Sequence, residues 1–207
     1  MLVVALLGAV VTLVIGLRYA GDHQASALDA AIEDVLVDVV GSGDLAWLLV
    51  TPSEPHVVLP LAALVVAVCL VQRRWRGAVL AAVAPAVAVA LNTWALKPAF
   101  GRLSEGHLAY PSGHTVSIVA VSAVVVLLAR PGVARWIAAV VGAMVSLGVD
   151  VALVTLGFHY PTDVVGGVAF ALTVVPLVAL AASRRCPSVH MRYPRAPWAR
   201  PRGQHRT

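Results

Sequence analysis

Two short polar segments lie between long apolar runs in this chain of 207 residues. The first, residues 111–114, reads Pro-Ser-Gly-His and ends at His114; the second contains His159 and, four residues later, Asp163. Ionisable groups at the ends of membrane helices are costly and usually functional. A carboxylate four residues from a histidine can share its helical face and fix one tautomer of the imidazole, which leaves the other ring nitrogen free to attack. A hydroxyl and backbone N–H groups beside the other histidine suit an anion. The pattern therefore indicates phosphoryl transfer through a histidine nucleophile.

The composition is that of a membrane protein. Apolar residues make up 60% of the chain and charged residues 12%, whereas soluble domains carry about 25% charged residues. A helix that crosses a bilayer needs about 20 mostly apolar residues. The apolar runs predict an all-α, polytopic bundle of six transmembrane helices, at 2–19, 55–72, 77–96, 114–130, 135–157 and 163–183. A secretory signal peptide is the alternative for the first run, which lacks the preceding basic residues of such peptides.

The basic residues predict the orientation, because cytoplasmic loops carry an excess of Lys and Arg. All but three of the 15 basic residues lie in three regions, which are 73–76, 130–135 and the tail from 184 onward. The three exceptions are Arg18, Lys97 and Arg102. We therefore expect a multi-pass protein of the cell membrane with both termini in the cytoplasm. The loops at 97–113 and 158–162 then bring the two histidines together on the extracytoplasmic side.

A short segment before the second predicted span has a different pattern. Over residues 25–40, apolar residues recur at helical spacing, which predicts a short amphipathic helix on the extracytoplasmic membrane surface. The acidic residues on its other side are Asp29, Glu33, Asp34 and Asp38.

The chain divides into a membrane domain over 1–183 and a basic tail over 184–207. The tail is rich in Arg and Pro and poor in apolar residues, so we expect it to be disordered. Two cysteines do not make a disulfide framework, and we expect Cys69 and Cys186 to be free. The net charge of +5 does not indicate nucleic acid as a partner, because the arginines are concentrated at membrane borders and in the tail.

The polar segments resemble the type 2 phosphatidic acid phosphatase (PAP2) superfamily over about residues 25–183. Its three motifs are Lys, six residues, Arg-Pro; then Pro-Ser-Gly-His; then Ser-Arg, five residues, His, three residues, Asp. Residues 111–114 match the second motif in full, His159 and Asp163 match the end of the third, and Lys97 matches the start of the first.

The resemblance implies a membrane phosphatase-like domain that works as a metal-independent phosphomonoesterase of the acid-phosphatase type, with no cofactor. By resemblance, His159 attacks phosphorus and forms a phosphohistidine that water later hydrolyses. Asp163 orients His159, and His114 is the general acid that protonates the leaving alkoxide. The expected substrate is a lipid phosphate or an isoprenyl (di)phosphate, which reaches the outer face from the surrounding membrane.

The resemblance also implies a set of phosphate-binding residues, which are Lys97, Arg102, Ser112 and Gly113. Asp150, a carboxylate inside the fifth predicted span, is expected to support the site from behind. No metal site is expected.

Two positions depart from the family pattern. The arginine of the first motif falls at Ser104, and the arginine of the third falls at Leu153. Arg102 is the nearest substitute for a guanidinium that would hold the phosphate. The departures motivate an alternative, which is a catalytically impaired relative that binds lipid phosphates or partners without turnover.

Overall fold

The computed structural model describes residues 1–104 and 106–184. The predicted disordered tail, apart from Arg184, lies outside the described residues, as does Cys186. The described chain is helical apart from one short hairpin, and the all-α prediction is confirmed. The helices are α1 (Leu2–Arg18), α2 (Ala27–Val40), α3 (Asp44–Val50), α4 (Pro55–Val71), α5 (Trp75–Leu91), α6 (Lys97–Phe100), α7 (Gly113–Leu128), α8 (Val133–Thr155) and α9 (Pro161–Arg184).

Three helical segments are long and apolar enough to cross a membrane, namely Trp75–Phe100, Val133–Thr155 and Pro161–Ser183. The other predicted spans form α1, α4 and α7, which are apolar but only 16 or 17 residues long. At 1.5 Å per residue such a helix covers about 25 Å, which is less than the bilayer core of about 30 Å. The structure therefore supports a multi-pass membrane protein, and the count of six spans stays a prediction.

Helix α7 lies at the centre of the bundle and packs against α4, α5, α8 and α9. It is apolar on all sides, which is typical of a helix enclosed by protein. Its buried residues include Val116, Ile118, Ala120 and Val124. Because α7 is held from several directions, its first turn, which carries His114, is fixed in place.

Glycine lets α9 come close to the start of α7. A Cβ atom on Gly167 would lie 2.9 Å from both the carbonyl oxygen of Ser112 and the Cβ of Thr115. The backbone N–H of Ser112 donates to the carbonyl of Asp163 at 3.1 Å. Membrane helices associate through small residues that allow such approaches. The two polar segments are thereby joined directly, backbone to backbone.

The segment Trp75–Phe100 is one helical rod in which α5 continues through a π-helical turn, Asn92–Leu96, into α6. It ends at Gly101, which has a φ of 61°, the left-handed conformation that commonly terminates helices. The chain then turns inward at Arg102 and forms a hairpin of β1 (Leu103–Ser104) and β2 (His107–Leu108).

Helix α2 begins with a capping box in which Ser26 and Asp29 bond each other's backbone N–H groups. Asp29, which the sequence pattern places on the acidic side of this helix, has a fully buried side chain. Leu28, Val35 and Val39 are exposed on the same helix. The apolar side of α2 therefore faces outward, and Asp29 faces the bundle.

Candidate active site

The structure brings His114 and His159 together. His114 lies in the first turn of α7 and His159 lies in the loop between α8 and α9, and their ring centroids are 6.4 Å apart. The side chain of His114 is 36% exposed, whereas that of His159 is 10% exposed. One imidazole is therefore open to the surroundings and the other lies deeper beside it.

Asp163 lies in the first turn of α9, next to His159. Its Oδ1 accepts a hydrogen bond from Arg102 Nη1 at 2.7 Å, and its Oδ2 accepts the backbone N–H of Tyr160 at 3.1 Å. The distance from Oδ2 to His159 Nδ1 is 3.8 Å, which is too long for a hydrogen bond. Among the described residues, His159 Nδ1 has no hydrogen-bond partner. The carboxylate thus faces the imidazole as a neighbouring charge.

Arg102 does not lie open to a phosphate. Its guanidinium is fully buried, and Nη2 donates to Asp29 Oδ2 at 2.9 Å while Nη1 bonds Asp163. Its Cζ atom lies 4.7 Å from the ring centroids of both Tyr19 and Tyr160, so the guanidinium is stacked between two aromatic faces. The expected role of Arg102 as a phosphate ligand is replaced by a buried ion pair with two carboxylates. A substrate would have to displace a carboxylate to reach it.

The hydroxyl of Ser112 also faces inward. Ser112 is fully buried and caps α7, where its Oγ accepts the N–H of Thr115 at 3.4 Å. The Thr115 hydroxyl lies 3.1 Å from Ser112 Oγ and 2.8 Å from Asp150 Oδ1. Asp150 is thereby linked to the Pro-Ser-Gly-His segment through the Thr115 hydroxyl. The N–H groups of Gly113 and His114 precede the first intrahelical bonds of α7, which leaves this helix end suited to an anion.

A second support comes from Asn92 in the π-helical turn. Its Nδ2 donates to the carbonyl of Pro111 at 3.2 Å, and the side chain is buried. In the part of the chain that the structure describes, its Oδ1 has no partner. π-Helical turns are often found at functional sites. This one places Asn92 beside Pro111, whose peptide bond with Tyr110 is cis.

Lys97 lies at the start of α6 and donates from Nζ to the carbonyl of Leu108 at 2.5 Å. Its ammonium group is close enough to interact electrostatically with Asp163 and His114. Lys97 is partly exposed, whereas Arg102 is buried. Of the two basic residues predicted to bind phosphate, Lys97 is therefore the one whose charge acts on both Asp163 and His114 from a partly exposed position.

Glu54 is a further acidic group at the site that sequence reasoning missed. Its Oε1 lies 3.9 Å from His114 Nε2, and about a third of each side chain is exposed. In the sequence, Glu54 directly precedes an apolar helix on the predicted outer side, and this position is the signal that could have identified it. The carboxylate of Glu54 therefore lies beside the imidazole that is expected to act as the general acid.

The positions of the two family arginines lie in the interior. Ser104 is buried in the hairpin, and the side chain of Leu153 is fully buried in the core. The carbonyl of Leu153 accepts the backbone N–H groups of Phe158 at 3.0 Å and His159 at 3.2 Å. Leu153 therefore shapes the His159 loop through its backbone.

Comparisons with known proteins identify a similar family and a similar fold. A sequence model of the PAP2 superfamily matches residues 95–186, which include both polar segments and Lys97. The fold is similar to the crystal structure of the first transmembrane PAP2 type phosphatidylglycerolphosphate phosphatase from Bacillus subtilis, with a TM-score of 0.70 and 19% sequence identity over 89% of this chain and 98% of that chain. At this identity the likeness shows the fold. A comparison with curated protein sequences finds no match.

Thr115→Val should destabilise the protein, because it removes the hydroxyl that joins Ser112 to Asp150 and leaves a buried carboxylate without that bond. The expected cost is about 1–3 kcal/mol, measured as a lower unfolding temperature in detergent. The matched control is Thr155→Val, since the Thr155 hydroxyl bonds the carbonyl of Ala152 in its own helix at 3.3 Å. Equal losses in the two variants would contradict a supporting role for Asp150.

Proposed function

We propose that this chain is a membrane phosphatase of the PAP2 superfamily. In this proposal it hydrolyses a lipid phosphate or an isoprenyl (di)phosphate at the outer face of the membrane through a phosphohistidine on His159. The observation that carries the proposal is the pairing of His114 and His159, at 6.4 Å between ring centroids, with the carboxylate of Asp163 at 3.8 Å from His159 Nδ1.

The first half of the reaction forms the phosphoenzyme. His159 Nδ1 faces Asp163, so Nε2 is the nitrogen that attacks phosphorus in line with the leaving oxygen. The bond from phosphorus to that oxygen breaks, and His114 donates a proton to the departing alkoxide. Asp163 stabilises the positive charge that develops on the His159 ring, and its contact with Nδ1 shortens as that charge forms, since catalytic hydrogen bonds often tighten only in the reacting complex.

The second half regenerates the enzyme. His114, now neutral, takes a proton from a water molecule that attacks the phosphohistidine. The phosphorus–nitrogen bond breaks, its electrons return to His159, and inorganic phosphate leaves. Each histidine ends in the protonation state in which it began.

The phosphoryl oxygens are bound by Lys97 and by the first N–H groups of α7, at Gly113 and His114. Ser112 contributes by capping α7 and holding this backbone in place. Arg102 contributes through Asp163. A site with one ammonium group in place of two guanidinium forks has fewer bidentate contacts to offer, so we expect slow turnover for a phosphatase.

Exposed aromatic groups beside His159 favour a lipid as the substrate. Phe158 and Trp47 pack edge to face with ring centroids 5.9 Å apart. They are 41% and 54% exposed, respectively. An amphipathic substrate can place its phosphate between the histidines and its apolar chain along these rings.

A second candidate function is favoured by the buried Ser104 and Leu153, which stand where the family motifs have arginines. In that case the chain binds lipid phosphates or partners without turnover. The two functions differ in one observable, which is the release of inorganic phosphate.

The proposed activity is tested with protein purified in detergent, with EDTA present, on phosphatidic acid and undecaprenyl diphosphate. Wild-type protein should release phosphate, and His159→Ala should lower the rate by about 10³-fold or more, the scale for loss of a nucleophile. The control is His23→Ala, since His23 is exposed and lies outside the site. Release that EDTA abolishes, or that survives in His159→Ala, would contradict the mechanism. Lipid phosphate binding without release would support the second candidate.

We also propose that all six apolar helices cross the membrane, with the termini in the cytoplasm. Helix α7 begins at Gly113, in the site, and ends at Leu128. Its end at Leu128 lies next to the arginine of the loop at 129–132 and the arginines of the turn between α4 and α5. The arginine-rich turns therefore lie at the opposite end of the bundle from the histidines, which supports an outer site by the distribution of positive charge.

The orientation is tested by cysteine labelling in a Cys69→Ser, Cys186→Ser background. Gln24 and Gln72 are both exposed and lie at opposite ends of the bundle. A membrane-impermeant maleimide should label Gln24→Cys in intact cells and Gln72→Cys only after the membrane is opened. The reversed pattern would put the site in the cytoplasm.

A further inference from the structure

Asp29 is a buried carboxylate that the proposed reaction does not use. Its side chain is fully buried, although it lies in the first turn of α2, far from both motifs in sequence. Besides Ser26 of its own capping box, its partners are Arg102 and Thr162. Asp29 Oδ2 accepts from Arg102 Nη2 at 2.9 Å and from the Thr162 hydroxyl at 3.1 Å, and Oδ1 accepts the backbone N–H of Thr162 at 3.0 Å.

These bonds form a closed ring around the residue that precedes Asp163. Arg102 Nη1 bonds both the Thr162 hydroxyl at 2.6 Å and Asp163 Oδ1 at 2.7 Å. Asp29 in turn bonds Arg102 and Thr162. The carboxylate of Asp163 is thus located by its own backbone and by a guanidinium that is itself held in place by Asp29.

The charges of this cluster have a consequence for His159. One cation, Arg102, lies between two anions, Asp29 and Asp163, and all three side chains are fully buried. The cluster as a whole carries one negative charge. If Arg102 paired with Asp163 alone, the pair would be neutral, and little negative potential would remain beside His159.

We infer that Asp29 is a positioning residue for the phosphoryl-transfer site: through Arg102 and Thr162 it orients Asp163, and its charge offsets that of Arg102 so that Asp163 stays effectively negative beside His159. The inference rests on the proposed function. The effect is greatest when His159 becomes positive on forming the phosphohistidine, so the loss of Asp29 acts on the transition state more than on substrate binding.

The other charged groups around the histidines stay in place in the test. Lys97 comes from α6, His114 from α7, and Glu54 faces His114 from the start of α4. None of them contacts Asp29, so a change at Asp29 reaches His159 through Arg102, Thr162 and Asp163.

The test compares Asp29→Asn with the double variant Asp29→Asn/Arg102→Gln. The single variant leaves Arg102 with one carboxylate, and kcat should fall about 10–100-fold, the scale for an outer partner of a reactive histidine, with KM changed less than threefold. The double variant restores the single negative charge, and kcat should rise at least threefold above that of Asp29→Asn, without reaching wild type because Asp163 has lost its bond to Arg102. The matched control is Asp34→Asn, an exposed carboxylate on the same helix, which should leave kcat unchanged.

Recovery assigns the loss in Asp29→Asn to the charge beside His159, and the unfolding temperatures of both variants are compared, because removing the second member of a buried ion pair can also restore stability. A double variant that is folded but no more active than Asp29→Asn would overturn the inference, as would Asp29→Asn with wild-type kcat. If Asp29→Asn does not fold, the test uses Asp29→Glu and the double variant instead. Both proteins should keep kcat within about tenfold of wild type. A larger loss in either folded protein contradicts the inference.

A binding measurement that does not depend on turnover separates this test from the test of the proposed function. The same proteins are titrated calorimetrically with orthovanadate, a mimic of the pentacoordinate phosphoryl group. Asp29→Asn should weaken vanadate binding at least tenfold, and the double variant should recover it. If wild-type protein binds vanadate but releases no phosphate, the proposed activity fails and the titration still decides the role of Asp29. Unchanged vanadate binding in Asp29→Asn contradicts the inference.

Discussion

The buried bridge of Arg102 between Asp29 and Asp163 is the interaction on which the rest of the site depends. Taking three charges out of water is costly, and the cost is met only when each is well paired and hydrogen-bonded. Here the guanidinium has a carboxylate on each terminal nitrogen, and its Cζ lies 4.7 Å from two tyrosine ring centroids, while its Nε has no hydrogen-bond partner among the described residues. The bridge joins α2, the segment after α6 and the start of α9. It therefore fixes the position of Asp163, at the start of α9, relative to two other parts of the chain.

A second constraint brings the other motif to the same place. Gly167 lets α9 approach the start of α7, and the N–H of Ser112 bonds the carbonyl of Asp163 at 3.1 Å. Because of this bond, the segment that carries His114 cannot move independently of the segment that carries Asp163. Asp150 holds the same segment from α8 through Thr115, and Asn92 holds it from the π-helical turn. The reactive groups are supported by helices, which is the arrangement that keeps a catalytic geometry fixed.

The sequence predicted the features that depend on local pattern. The helical class and the approximate bounds of each apolar helix followed from hydrophobic runs, and the motif residues His114, His159 and Asp163 were identifiable from their spacing alone. The contacts of Arg102 were not predictable, since its partner Asp29 is 73 residues away and appeared to belong to a solvated helix face. A carboxylate in a capping box gives no local sign that it also faces a buried guanidinium. Ser112 was expected to bind phosphate because its residue type fits, but its burial depends on how α8 and α9 pack around α7.

The central claim is that His159 is the nucleophile and His114 its acid partner in one outer-face site. The most direct measurement is an experimental structure of the wild-type protein in a lipid nanodisc with orthovanadate bound. We expect vanadium bonded to Nε2 of His159, an apical oxygen within hydrogen-bond distance of His114, and equatorial oxygens facing Lys97 and the N–H groups of Gly113 and His114. Vanadate bonded to another residue, or held by Arg102 after displacement of Asp163, would contradict it.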